Sequence, residues 1–209
     1  MAQLDLITND YFIVSAHREE NVDSSDNLID LLETLNTMAE IYNKKIIVST
    51  HPRTRLRLES LRAIKNNLNI HSLIQFLKPF GFLDYIKLQM NAFCVLSDSG
   101  SLTEDASILD FPAITIRQAH ERPEGMDVGT LVMSGLKKER VINAIEMVTQ
   151  QYDKKQRKFA IVPDYDTNNI SQKVVRIILS YVDYINRTVW YKSEISEKAK
   201  HENSHEVIV

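Results

Sequence analysis

A chain of 209 residues with 44% hydrophobic content holds enough apolar surface for one well-buried domain and a short tail. Its 25 basic and 28 acidic residues leave a formal net charge of -3, without the basic excess of a nucleic-acid binder. The single Cys94 excludes an internal disulfide framework, no apolar run approaches the roughly 20 residues that span a bilayer, and the opening MAQLDLITND lacks the charged and apolar regions of a signal peptide. A cytoplasmic protein with neither nucleic acid nor membrane as partner is expected.

Residues 1–10 are unpatterned and read as a lead-in. Tyr11 to Ala16 (YFIVSA) is the length and composition of a buried strand, and it ends in the polar loop His17-Arg18-Glu19-Glu20-Asn21. Ser24, Ser25 or Asp26 then caps a helix reaching about Asn43, with Leu28, Leu31, Leu32, Leu35 and Met38 on one face. Lys45 to Thr50 is the second strand, closed by His51-Pro52-Arg53 and followed by a basic helix over Arg55 to Asn67. Ile70 to Leu77 is a third strand. Phe82 to Asn91 reads as a short helix with Leu83, Ile86 and Met90 inward. Ala92 to Leu96 is the fourth strand, with Cys94 as a small core residue, and after the turn Asp98-Ser99-Gly100-Ser101 a helix runs to Asp110. Ala113 to Ile116, the polar loop Arg117 to Gly129, a short strand over Thr130 to Met133 and a helix from about Lys137 to Gln151 come next. Lys154, Lys155, Arg157 and Lys158 read as a solvated basic patch, Ile170 to Ile185 as a last amphipathic helix, and the remaining end as a polar tail.

Strands that are continuous apolar runs, alternating with helices, indicate an α/β fold with helices on both faces of a parallel sheet. Ligands of such sheets bind at the carboxyl ends of the strands. Those ends carry His17-Arg18-Glu19, His51-Pro52-Arg53, Asp98-Ser99-Gly100-Ser101, and Arg117 with the loop His120-Glu121-Arg122-Pro123-Glu124. The turn after the fourth strand is suited to a phosphate. Helix N-terminal N–H groups point out of it, Gly100 permits close approach, and Ser99 and Ser101 add hydroxyls. Ordinary capping by Ser99 or Ser101, with Glu104 completing a capping box, is the competing reading. No metal-ligand spacing, no G-x-S-x-G elbow and no G-x-G-x-x-G fingerprint is present. No metal and no cofactor is therefore expected.

Ser15-Ala16-His17-Arg18-Glu19-Glu20-Asn21, His51-Pro52, Asp98-Ser99-Gly100-Ser101 with Thr103-Glu104-Asp105, and Glu121-Arg122-Pro123-Glu124-Gly125 resemble, in order, the motifs of the non-hydrolysing UDP-N-acetylglucosamine 2-epimerases. The resemblance covers about residues 11–150 and is to the C-terminal domain of that family. Gln118-Ala119-His120 before Glu121, with Met126 after, looks most like the branch that makes UDP-N-acetyl-L-fucosamine for capsule or O-antigen polysaccharide.

The resemblance implies the UDP-binding C-terminal half of a GT-B arrangement; with the last helix read above, a Rossmann-like domain is expected over residues 11–187 and a tail over 188–209. It implies an isomerase that inverts C2 by eliminating UDP to a 2-acetamidoglycal and re-adding it. Ser99, Gly100 and Ser101 would bind the diphosphate, and Glu104 or Asp105 the ribose. Ser101 replaces the family's second glycine, and Glu104-Asp105 its paired glutamates. Tyr85 either stacks on uracil or serves as a helix core residue. His17 matches the active-site histidine, suited to proton transfer or polarisation near the sugar, and Arg122 would neutralise departing UDP. The implied partners are the UDP-sugar, a separately encoded N-terminal epimerase domain and, through the apolar surface that domain would leave exposed, a second copy in a homo-oligomer. The expectation is a half that binds UDP without epimerising alone. A non-catalytic UDP-sugar binding module and a GT-B glycosyltransferase half are the competing readings.

Overall fold

The computed structural model describes residues 4–64, 69–119 and 122–192. They fall into two compact units, divided between Asp166 and Thr167. In the first unit six parallel strands form one sheet: β1 (Tyr11–Ser15), β2 (Lys45–Ser49), β3 (Ile74–Leu77), β4 (Cys94–Ser97), β5 (Ala113–Thr115) and β6 (Val132–Met133). Their order is β3-β2-β1-β4-β5-β6. The chain works outward from β1 to one edge, then returns to β1 and works outward to the other. The switch point lies between β1 and β4, where Ser15 pairs with Ser97, so the loops that follow these two strands diverge and leave a crevice. This is a Rossmann-like sheet.

Alternation along the strands supplies two cores. Phe12, Val14, Ile46, Val48 and Leu96 pack under α2 (Ser25–Tyr42), α3 (Pro52–Ile64) and α7 (Lys138–Gln151). Tyr11, Ile13, Ile47 and Val95 pack under α4 (Phe82–Asn91) and α5 (Ser101–Leu109). Cys94 is fully buried, and burial pushes its thiol well above its ordinary value. Ser24 caps α2 by accepting from the Asn27 N–H at 3.4 Å, and Asn43 ends it in the left-handed region at φ 48°. Pro52, whose missing N–H costs nothing at a helix start, begins α3 three residues before the predicted Arg55. Its predicted end at Asn67 lies outside the described residues.

Strand β3 starts at Ile74 and not at the expected Ile70, and three helices differ more from the sequence expectation. The polar loops after β1 and β5 each contain a short helix, α1 (Glu19–Val22) and α6 (Glu124–Val128). Helix α4 faces inward with Leu88 and Gln89, with Tyr85 partly buried, and leaves Leu83 79% and Met90 45% exposed. The apolar stripe Leu83, Ile86, Met90 therefore does not mark its buried face. Arg157 of the basic patch is not merely solvated: it donates to the Ser107 and Ile108 carbonyls at 2.7 and 2.9 Å, satisfying the C-terminal end of α5.

The second unit contains α8 (Ile170–Thr188), with Val174, Ile178, Tyr181 and Val182 at helical spacing and Tyr181 and Tyr184 edge to face at 6.5 Å. Residues 193–209, most of the predicted tail, lie outside the described residues. No helix among the described residues is long and apolar enough to cross a membrane.

Candidate functional site

The crevice at the switch point is built from the two loops that β1 and β4 launch. After β4 the chain turns through Asp98 and Ser99 into α5. Ser97 Oγ accepts from the Ser99 N–H at 3.0 Å and fixes the turn, while the Ser99 and Ser101 hydroxyls lie 2.9 Å apart. Helix α5 has no side-chain cap. The capping-box reading fails because Glu104 points elsewhere: it forms an ion pair with Arg122, both side chains about 39% exposed. Leu102 and Thr103 N–H reach the Ser99 and Gly100 carbonyls at 3.3 and 3.2 Å, but no side chain caps the positive end of α5, which suits it to an anion.

Arg122 lies across this turn. A Cβ placed on Gly100 would sit 3.6 Å from Arg122 Nε, so Gly100 keeps the space between the turn and the guanidinium open. Gly100 is at φ -63°, ψ -31°, a conformation any residue adopts. Its glycine is needed for approach and not for backbone freedom. Arg117, at the end of β5, is buried and lies 3.4 Å from Glu20 on α1. Ser99, Gly100, Thr103, Arg117 and Arg122 line one pocket. A separate hollow at the amino edge of β5 and β6, among Asp110, Thr130, Tyr152 and Phe159, gathers no comparable set of phosphate ligands.

Asp105, one residue beyond Glu104, turns to the other side. Gln89 Nε2 donates to its Oδ2 at 3.3 Å, and desolvation raises its carboxyl above the ordinary carboxylate value. Tyr85 lies beside it and near Ser15, and burial pushes its phenol up to about 12. The two neighbouring carboxylates therefore have different partners, Glu104 a cation and Asp105 an amide.

His17 follows β1. Its backbone N–H and that of Arg18 both donate to Asp98 Oδ2 at 2.9 Å, and the Asn21 amide donates to the same oxygen at 3.0 Å. This buried carboxylate takes the N–H groups of His17 and Arg18 and so fixes the loop that leads into α1. The His51 ring lies 6.2 Å from that of His17. Arg53 bonds Asp23 and reaches Glu19 at 2.6 Å, and Arg57 joins at Asp23, tying α3 to the His17 loop. Hydrogen bonding from Arg53, with Arg57 adding, holds the Asp23 carboxyl below the usual carboxylate range.

The structure thus places Ser99, Gly100 and Arg122 on one pocket, with Ser101 and Glu104 beside them and His17 against Asp98 of the same turn, while Asp105 and Tyr85 lie on the α4 side of α5. His120 and Glu121 lie outside the described residues. Asp98, Gln89 and Ser15 join the crevice without having been singled out as site residues. The sequence signals for Asp98 were its place at a strand end ahead of Ser-Gly-Ser and its place in the resembling motif, whereas its partners lie about 80 residues away.

A family profile described as UDP-N-acetylglucosamine 2-epimerase matches residues 2–179. A UDP-N-acetylglucosamine 2-epimerase of Methanocaldococcus jannaschii is 40% identical over 143 residues, which is 68% of this chain and 39% of the relative. The structure of a UDP-N-acetylglucosamine 2-epimerase from Rickettsia bellii superposes with a TM-score of 0.75 at 49% identity, covering 91% of this chain and 50% of that one. The M. jannaschii UDP-GlcNAc 2-epimerase in complex with UDP-GlcNAc and UDP superposes with a TM-score of 0.74 at 34% identity, covering 86% and 48%. The chain spans half or less of the length of each of these relatives.

Proposed function

The chain belongs to the UDP-N-acetylglucosamine 2-epimerase family, an isomerase family, and on that premise we propose that its switch-point crevice binds the UDP moiety of a UDP-N-acetylhexosamine. The observation that carries the reading is the uncapped N-terminus of α5 at Ser99-Gly100-Ser101, with Arg122 poised over Gly100. In this assignment the turn and Arg122 hold the diphosphate, Tyr85 meets the uracil, and His17 faces the sugar. Asp105 is the ribose carboxylate, because Glu104 is engaged by Arg122. The full reaction is inversion at C2 by loss and re-addition of UDP, in a cytoplasmic GT-B enzyme whose acid and base carboxylates come from the other half. The wording Gln118-Ala119-His120 to Met126 supports the UDP-N-acetyl-L-fucosamine branch, in capsule or O-antigen synthesis.

Calorimetric titration with UDP is expected to show saturable binding that is lost in a Ser99→Ala, Ser101→Ala double variant. Absence of binding by folded wild-type chain overturns the reading. These residues by themselves are expected to incorporate no solvent deuterium at C2, and normal turnover by the chain alone defeats that part of it.

Asp105 supplies a pH test. Its raised carboxyl favours the protonated form in the free chain, so its contribution to stability is present below its unfolded value and is lost as pH rises through the folded one. Ribose hydroxyls donating to the carboxylate favour the ionised form. Affinity for UDP-N-acetylglucosamine, whose phosphates stay ionised, is therefore expected to rise with pH above the ordinary aspartate range of about 3.9. Asp105→Asn is expected to abolish that slope and to weaken binding roughly tenfold. An unchanged slope in the variant rules out Asp105 as the ribose ligand.

A further inference from the structure

Asp98 is fully buried, and its two oxygens are used differently. Oδ2 accepts from His17 N, Arg18 N and Asn21 Nδ2, at 2.9, 2.9 and 3.0 Å. Oδ1 has no hydrogen-bond partner, yet it lies 3.2 Å from Nδ1 of His17. The ring is at contact distance but turned off the line a hydrogen bond needs. A carboxylate that served only to close the loop would not leave its second oxygen desolvated and aimed at a titratable ring, because an unmatched buried acceptor is costly.

We propose that Asp98 is the positioning residue of His17. With a small turn of the ring, Nδ1–H donates a hydrogen bond to Oδ1, which fixes the tautomer and turns the Nε2 lone pair to the crevice. When Nε2 is protonated, the same carboxylate faces the imidazolium. The role given to His17 rests on the function proposed above; the tautomer itself does not. The competing neighbour is Ser15, whose Oγ lies 3.5 Å from Nδ1 and, as a donor, would enforce the opposite tautomer. The carboxylate is nearer and accepts only, and charge-assisted bonds are about twice as strong as neutral ones, so Asp98 wins. The other groups facing the pair are Arg18, whose Nε donates to the Asp98 carbonyl at 3.2 Å, the His51 ring, and the Tyr85 phenol.

The decisive variant is Asp98→Asn. The three donors of the loop hold the side-chain oxygen of the asparagine on their side, so its NH2 group faces His17 Nδ1 and forces that nitrogen to accept. The fold keeps all three hydrogen bonds, while the tautomer reverses. The experiment is a long-range 1H–15N correlation spectrum of the full chain, well above the ordinary imidazole range of about pH 6.5, with His17 assigned by His17→Gln. The wild-type chain is expected to show Nδ1 protonated and Nε2 as the unprotonated, acceptor-type nitrogen. Asp98→Asn is expected to exchange the two, and Ser15→Ala to leave them as they are. A wild-type spectrum with Nε2 protonated, or an unchanged tautomer in folded Asp98→Asn, overturns the proposal. If Asp98→Asn fails to fold, the wild-type and Ser15→Ala spectra decide it, because a reversal in Ser15→Ala would make Ser15 the controlling group. UDP titration of the same samples keeps the two readings apart: the expected tautomer without UDP binding leaves the positioning of His17 standing and defeats the nucleotide assignment.

Discussion

Gly125→Ala is expected to destabilise the chain by about 3 kcal/mol and to weaken UDP binding at least tenfold. A Cβ on Gly125 would fall 2.2 Å from Thr103 Cγ2 and 2.8 Å from Leu131 Cδ2, far inside van der Waals contact. Neither neighbour has room to yield. Thr103 is β-branched on a helix, which restricts its rotamers, and it is 6% exposed in the first turns of α5. Relief must come from lifting α6 off α5. That movement displaces the turn that Thr130 N and Oγ1 close on the Gly125 carbonyl, at 2.9 and 3.0 Å, and shifts Arg122, three residues earlier, away from Gly100. Gly100→Ala gives the contrast. Its helical backbone accepts alanine, so stability should stay within about 0.5 kcal/mol, while the methyl narrows the space under Arg122 and lowers UDP affinity. Urea unfolding and UDP calorimetry on both variants read the two effects separately. Gly125→Ala within about 0.5 kcal/mol of wild type would falsify the packing argument.

Asp98→Ala is expected to cost about 4 kcal/mol, the range for stripping a buried charge from its hydrogen-bonded donors. The loss leaves the His17 and Arg18 N–H groups and the buried Asn21 amide without their acceptor. Water does not easily replace it, because Asn21 is 1% exposed and Asp98 fully buried. Helix α1 should fray first. Amide exchange at His17 and Arg18 is therefore expected to accelerate in Asp98→Ala even at temperatures where the sheet remains folded. Asp98→Asn, which retains an acceptor for all three donors, should lose less than half as much stability. A loss below about 1 kcal/mol in Asp98→Ala would mean that the loop is held chiefly by Arg53, Arg57 and Asp23.

Most of the architecture was legible because its signals are local. YFIVS and KIIVS announce strands covered on both faces, since a parallel sheet leaves no face for water. Ser24 and Asn43 mark the ends of α2 through interactions that reach only a few residues. Helix α4 misled because its own stripe, Leu83, Ile86 and Met90, is a genuine helical pattern. The sheet instead receives Leu88 and Gln89, and no rule of period distinguishes one apolar arc from another on a ten-residue helix. Helices α1 and α6 were invisible in polar loops, and the loop that leads into α1 is held by a carboxylate about 80 residues away.

The residues alone determined that this chain alternates strand and helix, that its carboxyl-edge loops carry His17, Ser99-Gly100-Ser101 and Arg122, and that the motifs are those of the 2-epimerase family. Only the tertiary structure decided that β1 and β4 are neighbours, which places His17 and the phosphate-type turn at one crevice. It also decided that Glu104 is paired with Arg122 while Asp105 faces Gln89, and that one oxygen of Asp98 gathers the His17 loop while the other meets its ring. The reason is range. Periodicity, capping and turn chemistry act over a few residues and are written where they act, whereas a hydrogen bond across 81 residues exists only after the sheet has chosen its strand order.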